Sequence, residues 1–217
     1  MLSVVSLQWA LIRLSLLPVI LATLIGVVRF HRLTPGLRYL AVLVGAVLVL
    51  EVISRLLAFR HQPNLFLMPF YTAAEFSLLI LVYERALASP LFTRWAPWLM
   101  GAFGGYVVVD SWLLAELTRF RPSQQVVGSL LVLALVGLYY RKLLSELRVR
   151  HLEREPMFWV STGLFVYYLG YIQIGLFSNY LLSYSAQLNG NIWAAHALLN
   201  MLLYSCYSLA LCLHPQK

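Results

Sequence analysis

Seven stretches of this chain are long and apolar enough to cross a lipid bilayer, and that constrains the fold more than anything else in the sequence. A spanning helix needs about 20 apolar residues. The runs at about 4–28, 37–58, 65–83, 95–116, 124–144, 157–181 and 191–213 meet that length. They are separated by helix punctuation: Thr34-Pro35-Gly36, Gln62-Pro63-Asn64, Ser89-Pro90, Arg121-Pro122-Ser123, Glu155-Pro156 and Asn189-Gly190-Asn191. Backbone amides in hydrocarbon must be satisfied within their own segment, so each run is expected to be a helix. The sequence therefore predicts a single all-α membrane domain over residues 1–217 with seven transmembrane helices.

Composition agrees. Only 11% of residues are charged and 61% are hydrophobic, whereas a soluble domain carries about 25% charged residues. Six Trp, 13 Tyr and 11 Phe suit the headgroup zones of a bilayer. The net charge of +8 sits between apolar runs, so it reads as a signal of orientation and not of nucleic-acid binding. Cys206 and Cys212 lie six apart in one helix, poor geometry for a disulfide. Free thiols are expected.

Basic residues set the orientation. The first, third and fifth loops and the C-terminus carry Arg29, Arg32, Arg38, Arg85, Arg94, Arg141, Lys142, Arg148, Arg150, Arg154 and Lys217. The other loops carry Arg55, Arg60, Arg119 and Arg121, and Arg13 lies inside span 1. Eleven against four places the N-terminus outside and the C-terminus in the cytoplasm. The first run has no basic residue before it and no signal-cleavage pattern, so it is expected to stay as span 1. The chain is expected to be a multi-pass membrane protein. The largest loop, "RKLLSELRVRHLEREP" (141–156), is expected to extend span 5 as a cytoplasmic helix, where its charges meet anionic lipid or a protein partner.

The ionisable residues within the spans are the informative ones. With this orientation Arg13, Glu51, Glu75, Asp110 and His196 all fall in the outer half of the bilayer. Facing lipid, a charged residue costs roughly 2.5–3.5 kcal/mol on translocon scales, so these are expected to turn inward and meet. Helical spacing adds Tyr71, four before Glu75, and a stripe of His196, Asn200, Tyr204 and Ser208 on span 7. Span 6 offers Tyr167, Tyr171 and Ser178, with Gly163 and Gly170 admitting a close neighbour. Glu51 and Arg55 are spaced to pair at i,i+4. Gly101-Ala-Phe-Gly-Gly105 is a small-xxx-small pattern for close helix packing. The expected ligand-binding set is Tyr71, Glu75, His196, Asn200, Tyr204, Glu51, Asp110 and Arg13. Glu75 and Asn200 form the floor, and Arg13 is the candidate counterion of Glu75. The bland alternative is a set of interhelical hydrogen bonds acting as glue, worth about 0.6 kcal/mol each.

Other chemistries find little support. A retinal protein needs a Schiff-base lysine within a helix, and the lysines are Lys142, at a loop, and Lys217, at the terminus. An intramembrane zinc hydrolase built on His196 with Glu75, Glu51 or Asp110 stays open, though neither HxxxH nor HExxH occurs. A bis-histidine haem would need His61, which lies in a loop. No nucleophile elbow or phosphate loop is present. The reading is thus of a protein that is not an enzyme, has no cofactor or metal, and binds an unknown small ligand. A transporter of three helices, a linker helix and three more, coupled to protons through Glu75, is the rival reading. It draws on a faint repeat in which Tyr71-xxx-Glu75 of span 3 matches His196-xxx-Asn200 of span 7. A structural or assembly subunit is the third.

Several stretches together carry a resemblance: Glu51-xx-Ser54, "NLFLMPFYTAAEF" (64–76), "PMFWVSTGLFVYYLGYIQI" (156–174) and "NIWAAHALLNMLLY" (191–204). They resemble a family of small bacterial seven-helix integral membrane proteins of a sensor-like kind, whose membrane parts in some bacteria precede signalling kinases. The resemblance implies a multi-pass protein of the bacterial inner (cytoplasmic) membrane and a receiver of external or membrane-borne cues. This chain shows no output domain, so such a receiver would act through a separate cytoplasmic partner, with 141–156 as the natural docking surface.

Overall fold

The computed structural model describes residues 2–113, 122–146, 152–182 and 186–213. They form helices α1 (Leu2–Leu14), α2 (Leu16–Arg29), α3 (Pro35–Phe59), α4 (Met68–Leu87), α5 (Pro90–Leu113), α6 (Pro122–Glu146), α7 (Pro156–Leu182) and α8 (Ala186–Cys212). No strand occurs among the described residues. Helices α1 and α2 are one rod broken at Ser15. Pro18 explains the break: it has no N–H to give to the Leu14 carbonyl and its ring crowds that oxygen. Ser15 Oγ bonds the Ile12 carbonyl at 2.8 Å instead.

Proline also starts the helices. Pro35 and Pro69 lie in the first turns of α3 and α4, and α5, α6 and α7 each begin on a proline. A first-turn residue has no intrahelical acceptor for its N–H, so proline loses nothing there and supplies the right φ. The sequence breaks at Pro35, Pro90, Pro122 and Pro156 are therefore helix starts.

Five helical segments are long and apolar enough to cross a membrane: Gln8–Arg32, Pro35–Phe59, Ser123–Glu146, Pro156–Ile174 and Gly190–Cys212. Helices α4 and α5, with Glu75, Glu84 and Arg85 on one and Arg94 and Asp110 on the other, are not among the five. The outer surface is greasy, with Val28 81% and Phe59 84% exposed, while Ser129 and Ser161 are fully buried. Such a distribution is consistent with a multi-pass membrane protein and unlike a soluble monomer.

Helices α2, α3, α4, α6, α7 and α8 pack each on the next, and α8 returns to α2, so they close a six-membered ring. Helix α5 lies outside it against α4, and α1 lies against α8. Two glycines set the α7–α8 seam. A Cβ on Gly163 would stand 2.8 Å from Cys206 Cβ, and one on Gly170 would stand 2.6 Å from Leu199 Cδ1. The expected close approach at these two positions is thus realised. The Gly101/Gly105 pattern is not used in this way: both glycines of α5 face open space.

Long cations cap two helices at one end of the ring. Arg29, closing α2, donates to the Leu211 carbonyl at 2.8 Å and to the Cys212 carbonyl. Lys142, near the end of α6, donates to Ala86 at 3.0 Å and Leu87 at 2.7 Å. Each satisfies carbonyls that the last turn of α8 or α4 leaves open and meets the negative end of the helix dipole. The hydroxyls of Tyr83 and Ser161 hydrogen-bond at 2.9 Å, as do those of Tyr140 and Thr162 at 2.9 Å. These bonds tie α4, α6 and α7 together in the same half of the bundle. The expected helical extension over 141–156 is helix as far as Glu146, residues 147–151 lie outside the described part, and 152–154 form a short 3-10 turn.

Candidate functional site

The other half of the ring encloses a cavity of about 510 Å³. All six ring helices reach it. Val19 comes from α2; Val47, Leu50, Glu51 and Ser54 from α3; Met68, Tyr71 and Glu75 from α4; Gln125 from α6; Tyr167, Tyr168 and Tyr171 from α7; Trp193, His196, Asn200 and Tyr204 from α8. Asn64 and Leu67, in the connection before α4, complete the lining. Asn64 Nδ2 donates to Ser54 Oγ at 2.8 Å, which fastens that connection to α3.

Glu75 lies two turns into α4 and is 9% exposed. Tyr168 of α7 lies beside it on the cavity wall. Among the described residues, no ion pair joins Glu75 to a cation. Tyr71, one turn before it, and Tyr204 of α8 line the same cavity. On the wall, His196 Nε2 lies 3.2 Å from the Tyr167 hydroxyl. Its ring is surrounded by Tyr171 at 5.1 Å, Tyr167 at 5.8 Å and Trp193 at 5.9 Å between centroids. Tyr167 and Tyr171 stack on each other at 5.5 Å. Glu51 meets Arg55 at 2.8 Å, the i,i+4 pair expected from spacing. Arg55 also reaches the Ile12 carbonyl at 3.4 Å.

Six of the eight expected site residues therefore share this cavity: Glu51, Tyr71, Glu75, His196, Asn200 and Tyr204. Two do not. Arg13 is exposed, on the last turn of α1 beside the Ser15 break, and Arg55 pairs with Glu51 instead. Asp110 accepts from Gln124 Nε2 at 2.6 Å and faces Ser123 Oγ at 3.5 Å, in the seam between α5 and α6. Depth placed both at the level of the cavity, but depth does not fix which way a helix face turns.

Tyr168, Gln125 and Trp193 were not anticipated. The span 6 stripe of Tyr167 and Tyr171 pointed toward the cavity, and both residues line it. Ser178 of that stripe has no described side chain. Tyr168 sits one residue, or about 100°, around the helix from Tyr167, and this lets α7 face α8 and α4 together. Among the described residues no three His, Cys, Asp or Glu side chains converge as a metal site would need. His61 is exposed in its loop, and Lys142 is engaged at the end of α4 away from the cavity. Both cysteines are unpaired.

Comparison with protein-family models, curated proteins and solved structures finds no match to this chain. Its functional reading rests on the cavity.

Proposed function

We propose that this protein is a sensor-like binding module of the bacterial inner membrane, taking a small ligand into the ring cavity from outside and acting through a separate partner. In this reading all seven rods cross the bilayer, with the N-terminus outside and the C-terminus in the cytoplasm. Helix α4 crosses despite its charges because its polar face turns into the ring, where Glu75 and Thr72 are buried. The observation that carries the reading is the cavity itself, whose volume lies in the range of small-molecule sites. It lies at the end of the ring where α4 and α8 begin, the end the basic residues assign to the outside. The loop 141–156, at the opposite end, is the docking surface for the partner. No catalytic role is assigned to any residue.

A second reading, a small-solute transporter, is favoured by a specific regularity. In the ring, three consecutive spans are followed by the last three, with α5 outside as a linker. Arg29 at the end of the first span caps residues 211 and 212 of the seventh, and Lys142 at the end of the fifth caps residues 86 and 87 of the third. The capped pairs lie 125 positions apart, as do Tyr71 and His196, and Glu75 and Asn200. Such a correspondence is what parallel repeats about an axis along the membrane normal produce.

Reconstituted vesicles separate the two. The sensor reading expects ligand to raise thermal stability with no net uptake, and expects Glu75→Gln to change that response. Concentrative or exchange flux by the purified protein would replace it with the transporter. Unchanged behaviour of Glu75→Gln in both assays would leave only a structural role.

A further inference from the structure

The charge and ring chemistry of the cavity identify a class of ligand. Glu51 is neutralised by Arg55 at 2.8 Å. Among the described residues neither lysine nor arginine lines the cavity. Among the described residues Glu75 therefore stands on the floor as a carboxyl without a partner of opposite charge, beside Tyr168. Around it are the rings of Tyr71, Tyr167, Tyr168, Tyr171 and Tyr204, with Trp193 nearer the mouth. His196 is engaged with Tyr167 and sits against three rings, and no described contact joins it to Glu75.

A carboxyl set among aromatic faces is chemistry for a cation. Ring quadrupoles attract an ammonium placed over them, more strongly when water is excluded, and the carboxylate adds a charge-assisted hydrogen bond. The aliphatic part of the wall, Val19, Val47, Leu50 and Met68, accommodates an apolar body. An ammonium would compensate a Glu75 carboxylate, which an anion would repel and a neutral solute would leave uncompensated.

We propose that the cavity binds an organic ammonium ion, with its nitrogen toward Glu75 and the tyrosine rings and its apolar body along α2 and α3. This rests on the binding reading above and adds the ligand's chemical class. The same ammonium chemistry is offered by free amines and by ethanolamine lipid headgroups, and the test distinguishes them.

The experiment uses the full chain in nanodiscs of phosphatidylglycerol, titrated with phenethylamine, 2-phenylethanol and phenylacetate. These are a cation, a neutral molecule and an anion of nearly one shape. Calorimetry should show the cation binding at least about tenfold tighter than the neutral analogue, and the anion weakest. Glu75→Gln should remove that preference. Because this variant could lose its fold, Tyr171→Leu and Tyr171→Phe give a second measure: Leu should weaken the cation selectively, and Phe should retain it. Adding phosphatidylethanolamine to the discs should compete with phenethylamine if the headgroup is the source and leave its affinity unchanged if a free amine is. Equal affinity for cation and neutral analogue in the unaltered protein would overturn the ammonium assignment while keeping the cavity as a binding site. Failure of all three probes to bind would overturn both.

Discussion

Tyr168 on α7 stands beside Glu75 on α4, across the floor of a cavity that six helices enclose. Among the described residues neither has an ion pair with a cation. Tyr168→Phe should therefore destabilise the fold by about 0.6–2 kcal/mol, between the average interhelical bond in membranes and the cost of an orphaned buried acceptor. Unfolding of Tyr168→Phe, Glu75→Gln and the double variant gives the coupling. Additive effects within about 0.3 kcal/mol would show that the two side chains act independently.

Gly163 and Gly170 should not tolerate alanine equally. At Gly163 the added carbon meets Cys206 Cβ at 2.8 Å, an atom fixed to the α8 backbone, whereas at Gly170 it meets the tip of Leu199 at 2.6 Å. A leucine tip can rotate away. Gly163→Ala should cost about 1–3 kcal/mol, and Gly170→Ala less. Gly101→Ala and Gly105→Ala, facing open space, should be neutral or stabilising by up to about 1 kcal/mol. Thermal unfolding of the four variants checks the order.

Ala88 ends α4 with φ 46° and ψ 38°, left-handed backbone that crowds a Cβ. Its N–H closes the helix on the Glu84 carbonyl at 3.1 Å. Ala88→Gly should stabilise by about 1 kcal/mol, since glycine takes this conformation freely. A lower unfolding midpoint for the glycine variant would contradict the assigned backbone geometry.

Glu155, in the connection just before α7, is half-buried. Burial pushes its carboxyl above the ordinary 4.5, against the opposing effect of the Met157 N–H. With a raised pKa the folded state holds the proton more tightly than the unfolded chain. Stability is therefore lost as pH rises through the folded pKa and is regained below 4.5. Glu155→Gln, which keeps an acceptor for Met157, should stabilise at pH 7, and its advantage should vanish at acid pH. A constant difference at all pH values would rule out titration as the cause.

The helices were legible because hydrocarbon leaves a chain few choices: long apolar runs with proline between them must coil. The Glu51–Arg55 pair and the glycine face of α7 were legible because each depends on spacing within one helix. Contacts between helices were only partly so. Arg13 was expected beside Glu75 from depth alone, yet Pro18 breaks the rod just below it and Arg55 occupies the place beside Glu51. Asp110 has the right depth, but α5 packs outside the ring. Tyr168 could not be found from a stripe because it belongs to two faces at once, and only the ring order brings α4 within its reach.

Arg29 and Lys142 rivet the two seams where the first and last halves of the ring meet, both at the end away from the cavity. A barrel of staves hooped at one rim can spread only at the other. On the proposed binding reading, breathing that admits a molecule pivots about these two cations, and the angle between staves at the far rim is the quantity to follow.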